Sequence, residues 1–376
     1  MRHTAVAAMV VLAFLRGSAH AQTYVSGEAG AERDDNVQRV ETGPGLDTKR
    51  ISASVLRFGA RIDSKSKLLG GTFAFNVSNL TRLVSEGEAS AENVASFAGN
   101  ARWLHPLADR PVYAGVALSA IDAIPITDNI GARTFSNLGG DGVLAFRGGD
   151  ERVLTIGFGI RDFRYKPDHD FDYWGPAANV RLDLTLWQPP SKTKSLELIT
   201  TLGFENRTFG NSVALVNACP PGSPADPNCT APTDLERRDR YQRLGTELTW
   251  VGRQVAAIGY QFTLIDSNSF GQSLARHRVT ASATIALPAK LYGTLLGILQ
   301  IDQYLDGLVV RRDLQQQEFT NVEDENRSSL QARLARKLSS GWSIEARAAI
   351  WRNLAGNTME LSFQRELVYL GLIYGR

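Results

Sequence analysis

Beyond its first 21 residues, the 376-residue chain has no run approaching 18 consecutive apolar residues. That excludes a helical membrane protein. It has only two cysteines, Cys219 and Cys229, which with its length excludes a disulfide-framework miniprotein. Methionine (3) and lysine (8, against 33 arginines) are scarce. Net charge is nearly absent too. The formal value is +2, and Arg2 and Arg16 precede the predicted cleavage point, so the mature chain carries 39 charges of each sign. Nothing in that balance points to nucleic acid. Histidine in the mature chain is limited to His105, His169 and His277. No Gly-x-Ser-x-Gly, His-Glu-x-x-His or phosphate-cradling loop occurs, so neither an enzyme nor a cofactor is expected. A Ser/His/Asp hydrolase assembled across strands stays open as a minor alternative. Disorder is excluded at 43% apolar residues. A β-barrel is not excluded, because its strands are only half apolar.

The chain starts with Arg2-His3, an apolar run from Ala5 to Leu15 and a small-x-small triplet, Ala19-His20-Ala21. This predicts a cleaved signal peptide over 1–21 and a single mature domain over 22–376. Export to an oxidising compartment makes Cys219–Cys229 a candidate disulfide, stapling the loop Pro220–Asn228. Zinc binding by the two cysteines is the weaker alternative.

Period-two alternation recurs along the mature chain. Leu154, Ile156, Phe158 and Ile160 alternate with Thr155, Gly157, Gly159 and Arg161. Ala178, Val180, Leu182, Leu184 and Leu186 alternate with Asn179, Arg181, Asp183 and Thr185. Runs beginning at Leu196 and Val279 follow the same rule. Each such strand has one apolar face and one polar face. A soluble sandwich turns the apolar face inward, and a membrane barrel turns it to lipid. Many runs reach ten residues or more, as a tilted membrane strand requires. Short connections (63–67, 105–110, 148–151, 188–194, 252–253, 288–290, 339–341) mostly alternate with longer polar ones (37–49, 85–92, 123–136, 165–173, 210–236, 266–273, 306–325). The predicted fold is therefore all-β: an antiparallel up-and-down transmembrane barrel of about 16 strands (14–18). Its turns would be short and periplasmic, its loops longer and extracellular, with 210–236 the longest. Strand two (50–62) and strand six (140–147) alternate poorly.

Aromatic placement gives an independent indication. Trp103, Trp187, Trp250, Trp342, Tyr113 and Tyr292 lie at or beside the short turns. Rings with one wet and one apolar side favour a membrane interface, so these six are expected to form a girdle. Lys65, Lys67, Lys192, Lys194, Lys290 and Lys337 flank the same turns. Val368, Leu370, Leu372 and Tyr374 alternate up to two residues from the C-terminus, where Gly375-Arg376 follow, like the closing strand of an outer-membrane barrel.

The expected inward face carries Arg57, Arg61, Arg161, Arg181, Arg243, Arg333 and Arg347, together with Asp183, Glu197, Glu205, Glu247, Asp302 and Glu345. A barrel this wide holds water, and charges lining it lower the cost of passing hydrated solutes. The same charges have an equally weighted structural role, pairing across the wall to hold its shape. Asp168-His169-Asp170 and Asp34-Asp35-Asn36 are weak cation-binding patterns, more simply solvated loop and turn chemistry. No metal site is assigned to them.

The segment Gly27-Glu28-Ala29-Gly30-Ala31-Glu32-Arg33-Asp34-Asp35-Asn36-Val37-Gln38-Arg39 resembles the first strand and loop of EpsL-type outer-membrane barrel porins of exopolysaccharide biosynthesis. The closing segment Phe363-Gln364-Arg365 is similar as well. About a dozen residues carry the resemblance. Glu32-Arg33 stand where the family usually has an aromatic. The resemblance implies an outer-membrane channel through which a secreted polysaccharide leaves. Its implied partners are outer-membrane lipid, the polysaccharide itself, periplasmic and inner-membrane export proteins, and the barrel-assembly machinery. A general or solute-specific diffusion porin is the alternative, with 123–136 as a constricting loop.

Overall fold

A computed structural model describes residues 22–42, 49–107, 110–149, 151–223, 226–307, 327–353 and 362–376. The predicted signal peptide lies outside the described residues. Sixteen strands follow one another: β1 (Gln22–Asp34), β2 (Ala53–Leu68), β3 (Gly71–Val84), β4 (Val94–Pro106), β5 (Val112–Pro125), β6 (Phe135–Arg147), β7 (Arg152–Tyr165) and β8 (Tyr173–Trp187). Then come β9 (Ser195–Asn217), β10 (Thr230–Val251), β11 (Gln254–Ser267), β12 (Leu274–Leu287), β13 (Leu291–Tyr304), β14 (Ser328–Lys337), β15 (Trp342–Arg352) and β16 (Gln364–Gly375). Each pairs antiparallel with its sequence neighbours, and β1 pairs with β16, closing the barrel. Closure gives each of the sixteen strands a hydrogen-bonded neighbour on both sides. The architecture and the strand number are those predicted from alternation.

Residues opposite one another in an antiparallel ladder share a face. The register therefore sorts every strand residue to one of two surfaces. One surface holds Phe58, Leu118, Leu138, Phe158, Ile160, Leu202, Ile258, Leu295 and Leu370, all exposed. The other carries ion pairs that skip a strand, such as Glu32 (β1) with Arg82 (β3), and is the concave interior. On β7 the outward apolar run from Leu154 to Ile160 covers roughly 20 Å along the strand, at about 3.3 Å per residue. A contiguous apolar band on the convex face is a surface for hydrocarbon to solvate.

Three boundaries differ from the sequence reading. The first turn is Leu69–Gly70, both left-handed (φ 50° and 73°), and residues 63–67 continue β2. Their polar side chains look like turn chemistry, but Asp63, Lys65 and Lys67 are the inward set. Strand six begins at Phe135, well before Gly140. The 210–236 loop is largely strand, a hairpin pairing Asn217 with Thr230 and Val216 with Ala231 and broken near Pro232–Glu236. Neighbouring β8 begins pairing only at Phe209, so the hairpin stands beyond the rest of the wall on the loop side.

At the β1–β16 seam the Tyr369 ring lies flat on the wall. A Cβ on Gly30 would sit 2.5 Å from that ring, and one on Gly371 would sit 2.0 Å from its hydroxyl. Both positions need glycine for this close approach.

Candidate functional site

All thirteen residues expected to line the lumen fall on the concave face. Most are engaged with a partner on the wall. Arg57 donates to Glu28 at 2.7 Å, Arg161 to Asp141 at 2.9 and 3.0 Å, and Arg276 to Asp302 at 2.8 Å. Arg243 reaches Glu205 at 3.4 Å, and Glu345 is shared by Arg333 and Arg347. Arg61 pairs with Asp63, and Arg181 with Asp183, two residues along the same strand. A period of two puts positions i and i+2 on one face, so such pairs are built into the alternation. Glu197 accepts from Ser195 at 2.6 Å, and Glu247 from Thr249 at 3.3 Å.

The interior divides into two levels. On the loop side many inward positions are aromatic or aliphatic, and they are buried. Val94, Ala123, Phe135, Phe163, Tyr165, Tyr173 and Phe209 form one cluster with Phe171 from the adjoining loop. Its Phe163 and Tyr173 rings stack with centroids 5.1 Å apart. Tyr241, Ile265, Leu274 and Tyr304 form a second cluster, and Ala349, Trp351, Leu367 and Tyr369 belong to a third with Phe363. A fourth joins Val37, Ala53, Val55 and Ala89.

Buried arginines thread these clusters, each against an acid and three of them against a ring. Arg207 lies between Tyr241 (3.7 Å) and Tyr173 (4.3 Å) and donates to Glu205 at 2.6 Å. Arg237 covers Phe209 and pairs with Asp239. Arg365 covers Trp351 and donates to Asp34 at 2.7 Å, while Arg82 links Glu32 (2.6 Å) to Asp34 (3.4 Å). The expected inward face of charges, hydroxyls and glycine therefore describes only part of the lumen. A barrel of this width does not fill itself, and the loop-side clusters cover this level with aromatic side chains and loop residues such as Phe171.

On the turn side many inward positions are polar, and the lumen is open. A cavity of about 980 Å³ is lined there by Tyr24, Asp63, Lys65, Asn76, Asn100 and Arg102, among others. Arg102 lies in the electrostatic field of Arg181 and Asp183 on β8, across the lumen. Arg102 was missed by the sequence reading, although Ser96, Ala98, Asn100 and Arg102 alternate with Phe97, Gly99, Ala101 and Trp103. Glu28, Glu32, Asp34, Arg82, Arg207, Arg276 and Arg278 are further lumen charges outside the expected set.

Four of the six expected girdle residues face outward at the turn end. Trp187 and Trp250 stack at 5.6 Å, Trp342 packs on Tyr374 at 5.0 Å, and Trp103 donates to the Leu68 carbonyl at 3.0 Å. Tyr113 and Tyr292 do not join them. Register with Ala145 and Ala335 puts both on the concave face. Proximity to a short turn fixes the level of a ring, and only parity fixes its side.

Segment 126–134 is tied to the neighbouring loop. Ile126 N–H donates to the Asn93 carbonyl, Thr127 to the Ser90 carbonyl, and Asn129 to the Ser90 hydroxyl. Asp34, offered above as a cation ligand, is taken by Arg365 and Arg82. Asp168 caps the Asp170 amide, and His169 bonds to Asp172. No cluster of three metal-ligating side chains occurs among the described residues.

The two cysteines are free thiols, so the expected disulfide is not formed here. They do meet. A hydrogen bond with Cys219, aided by desolvation, pushes the Cys229 thiol up to about 11. Ala218 N–H also donates to the Cys229 carbonyl at 2.7 Å, holding the hairpin tip closed.

No protein-family model matches the chain, and no curated relative does. Among solved structures, Salmonella typhi OmpF, in a complex with daunomycin, aligns over 95% of this chain and 97% of its own at 10% identity and a TM-score of 0.48. A loop-L8 deletion mutant of OmpT, an outer-membrane protein of Vibrio cholerae, aligns over 95% and 99% at 11% identity and a TM-score of 0.42. A mutant of the monoaromatic hydrocarbon channel TodX aligns over 94% and 90% at 8% identity and a TM-score of 0.40. No residue role transfers at these identities.

Proposed function

We propose that this protein is a passive outer-membrane channel for hydrophilic solutes, exported through its signal peptide. One observation carries this reading: a closed 16-strand barrel has an apolar convex face and a polar, open turn-side lumen. Lipid solvates the first, and water with dissolved solute occupies the second. The wall supplies hydroxyl, amide and charged groups that replace part of a solute's hydration shell. The chain carries no phosphate-cradling loop or other energy-using motif, so direction comes from gradients or from partner proteins.

Two uses fit such a channel. Export of an exopolysaccharide is the use that the first strand's resemblance implies, with periplasmic and inner-membrane proteins feeding the polymer. Diffusion of small solutes uses the same lumen without partners. Conductance of the purified barrel in planar bilayers tests the channel reading, and an intact barrel that never conducts overturns it. Gene deletion separates the uses. Loss of surface polymer with solute uptake intact supports export, and the reverse supports diffusion.

A further inference from the structure

Two adjacent rows of inward side chains cross the turn-side wall. The first runs Gln22, Lys65, Ala74, Arg102, Ala117 and Asp141 from β1 to β6, each opposite the next. The second, one step deeper, runs Tyr24, Asp63, Asn76, Asn100 and Ser119. Residues from both rows line the 980 Å³ cavity. In the first row the two cations flank a methyl group. Lys65 and Arg102 stand two strands apart, about 9.5 Å at the usual strand spacing, with only Ala74 between them.

The charges lining this cavity are equal in number, Asp63 and Asp141 against Lys65 and Arg102, but the acids are paired with arginines outside it. Asp63 is held by Arg61 at 2.7 and 2.8 Å and by Asn76 at 2.7 Å. Asp141 is held by both guanidinium nitrogens of Arg161. Lys65 and Arg102 make no ion pair or hydrogen bond among the described residues. Each acid thus carries its own arginine, and two cations are left facing the solvent over a small floor. Beside them lie two side-chain amides, a hydroxyl at Ser119 and the half-exposed ring of Tyr24.

We propose that this wall is a binding subsite for a carboxylated saccharide of the uronic-acid type. The inference rests on the channel reading and names the solute class. The carboxylate fits between the Lys65 ammonium and the Arg102 guanidinium, above Ala74. Ring hydroxyls exchange hydrogen bonds with the Asn76 and Asn100 amides and Ser119, and the apolar face of the sugar lies on Tyr24. A neutral sugar keeps the amide and ring contacts and forfeits both charge-assisted bonds.

Calorimetric titration of the refolded, full-length barrel with trigalacturonate and with maltotriose tests this. The acidic trimer is expected to bind at least tenfold more tightly, about the worth of one charge-assisted hydrogen bond. Lys65→Gln and Arg102→Gln each remove most of that preference, Lys65→Arg and Arg102→Lys keep it, and Arg278→Gln on β12 leaves it unchanged. Equal affinities for the two trimers, no binding of either, or an acidic preference that survives Lys65→Gln/Arg102→Gln overturns the subsite. Binding at equilibrium needs no current. A barrel that conducts but shows no acidic preference fails this inference alone, and one that binds but never conducts fails the channel reading alone.

Discussion

Arg365 and Arg82 at the loop side of the lumen have 3% and 2% of their side chains exposed, while Arg61 and Arg181 at the turn side keep 58% and 49%. All four belong to arginine–carboxylate pairs of 2.6–2.7 Å, yet the surroundings give those pairs opposite meanings. A desolvated pair is held at a high cost of separation, since either charge left alone remains buried. A solvated pair is worth little and opens readily. The loop-side lumen is accordingly built like a protein core, with rings stacked on guanidinium groups. The turn-side lumen is built like a surface, with charges free to meet a solute.

The largest test of that contrast is removal of one buried partner. Asp34→Ala is expected to cost about 3–5 kcal/mol of stability by stranding Arg365 and half of Arg82's contacts. Arg61→Gln, at the other end, is expected to cost under about 1 kcal/mol. Urea unfolding of the vesicle-inserted barrel measures both, and equal losses would erase the distinction between the two levels. A second test removes a ring. Phe163→Ala leaves a hole between Phe135 and Tyr173 and is expected to cost about 3–5 kcal/mol. A smaller loss is expected on the outer wall, where Trp187→Ala separates the stacked pair with Trp250, about 0.5–1.5 kcal/mol beyond the lost burial. The smallest is Asn100→Ala at the turn side, expected within about 0.5 kcal/mol. That variant is scored instead by conductance, which should change while the unfolding midpoint stays.

The hairpin tip adds a chemical comparison. With its thiol pKa raised to about 11, Cys229 stays protonated at neutral pH, so iodoacetamide labelling of Cys229 in the reduced protein, read by peptide mass mapping, is expected to be slow until the pH nears that value. Rapid labelling at pH 7 would contradict the Cys219–Cys229 contact. Replacing both cysteines with serine is expected to leave barrel assembly intact.

The convex face was readable from sequence because lipid demands the same thing of every strand: an apolar residue at every second position. Leu154 to Ile160 and Val279 to Leu287 show it without any knowledge of neighbours. The polar half of the lumen was readable by the complementary parity, as in Arg181-x-Asp183. The loop-side interior was not. There Phe163 and Tyr165 face inward while Asp162 and Arg164 face outward, so the alternation runs with the opposite polarity and parity alone assigns the faces wrongly. Lys65 was hidden for the opposite reason, since Asp63-Ser64-Lys65-Ser66-Lys67 is polar on both faces and reads as a turn. Tyr113 and Tyr292 show that level and side are separate properties, and nearness to a turn supplies only the first. The cross-strand row that brings Lys65 and Arg102 together depends on register, which no single strand encodes.

The bond between Asp34 and Arg365 joins residues 331 positions apart. Neighbouring strands here are hairpins whose contacts form over short loops, but this one closes the longest loop in the barrel, and loop entropy makes it late. Until β16 arrives, Asp34 has lost its main partner and the β1 edge lies open. β16 therefore does more than add a sixteenth stave. It neutralises a charge placed on β1, and this ties commitment to the folded state to having both sides of the seam present.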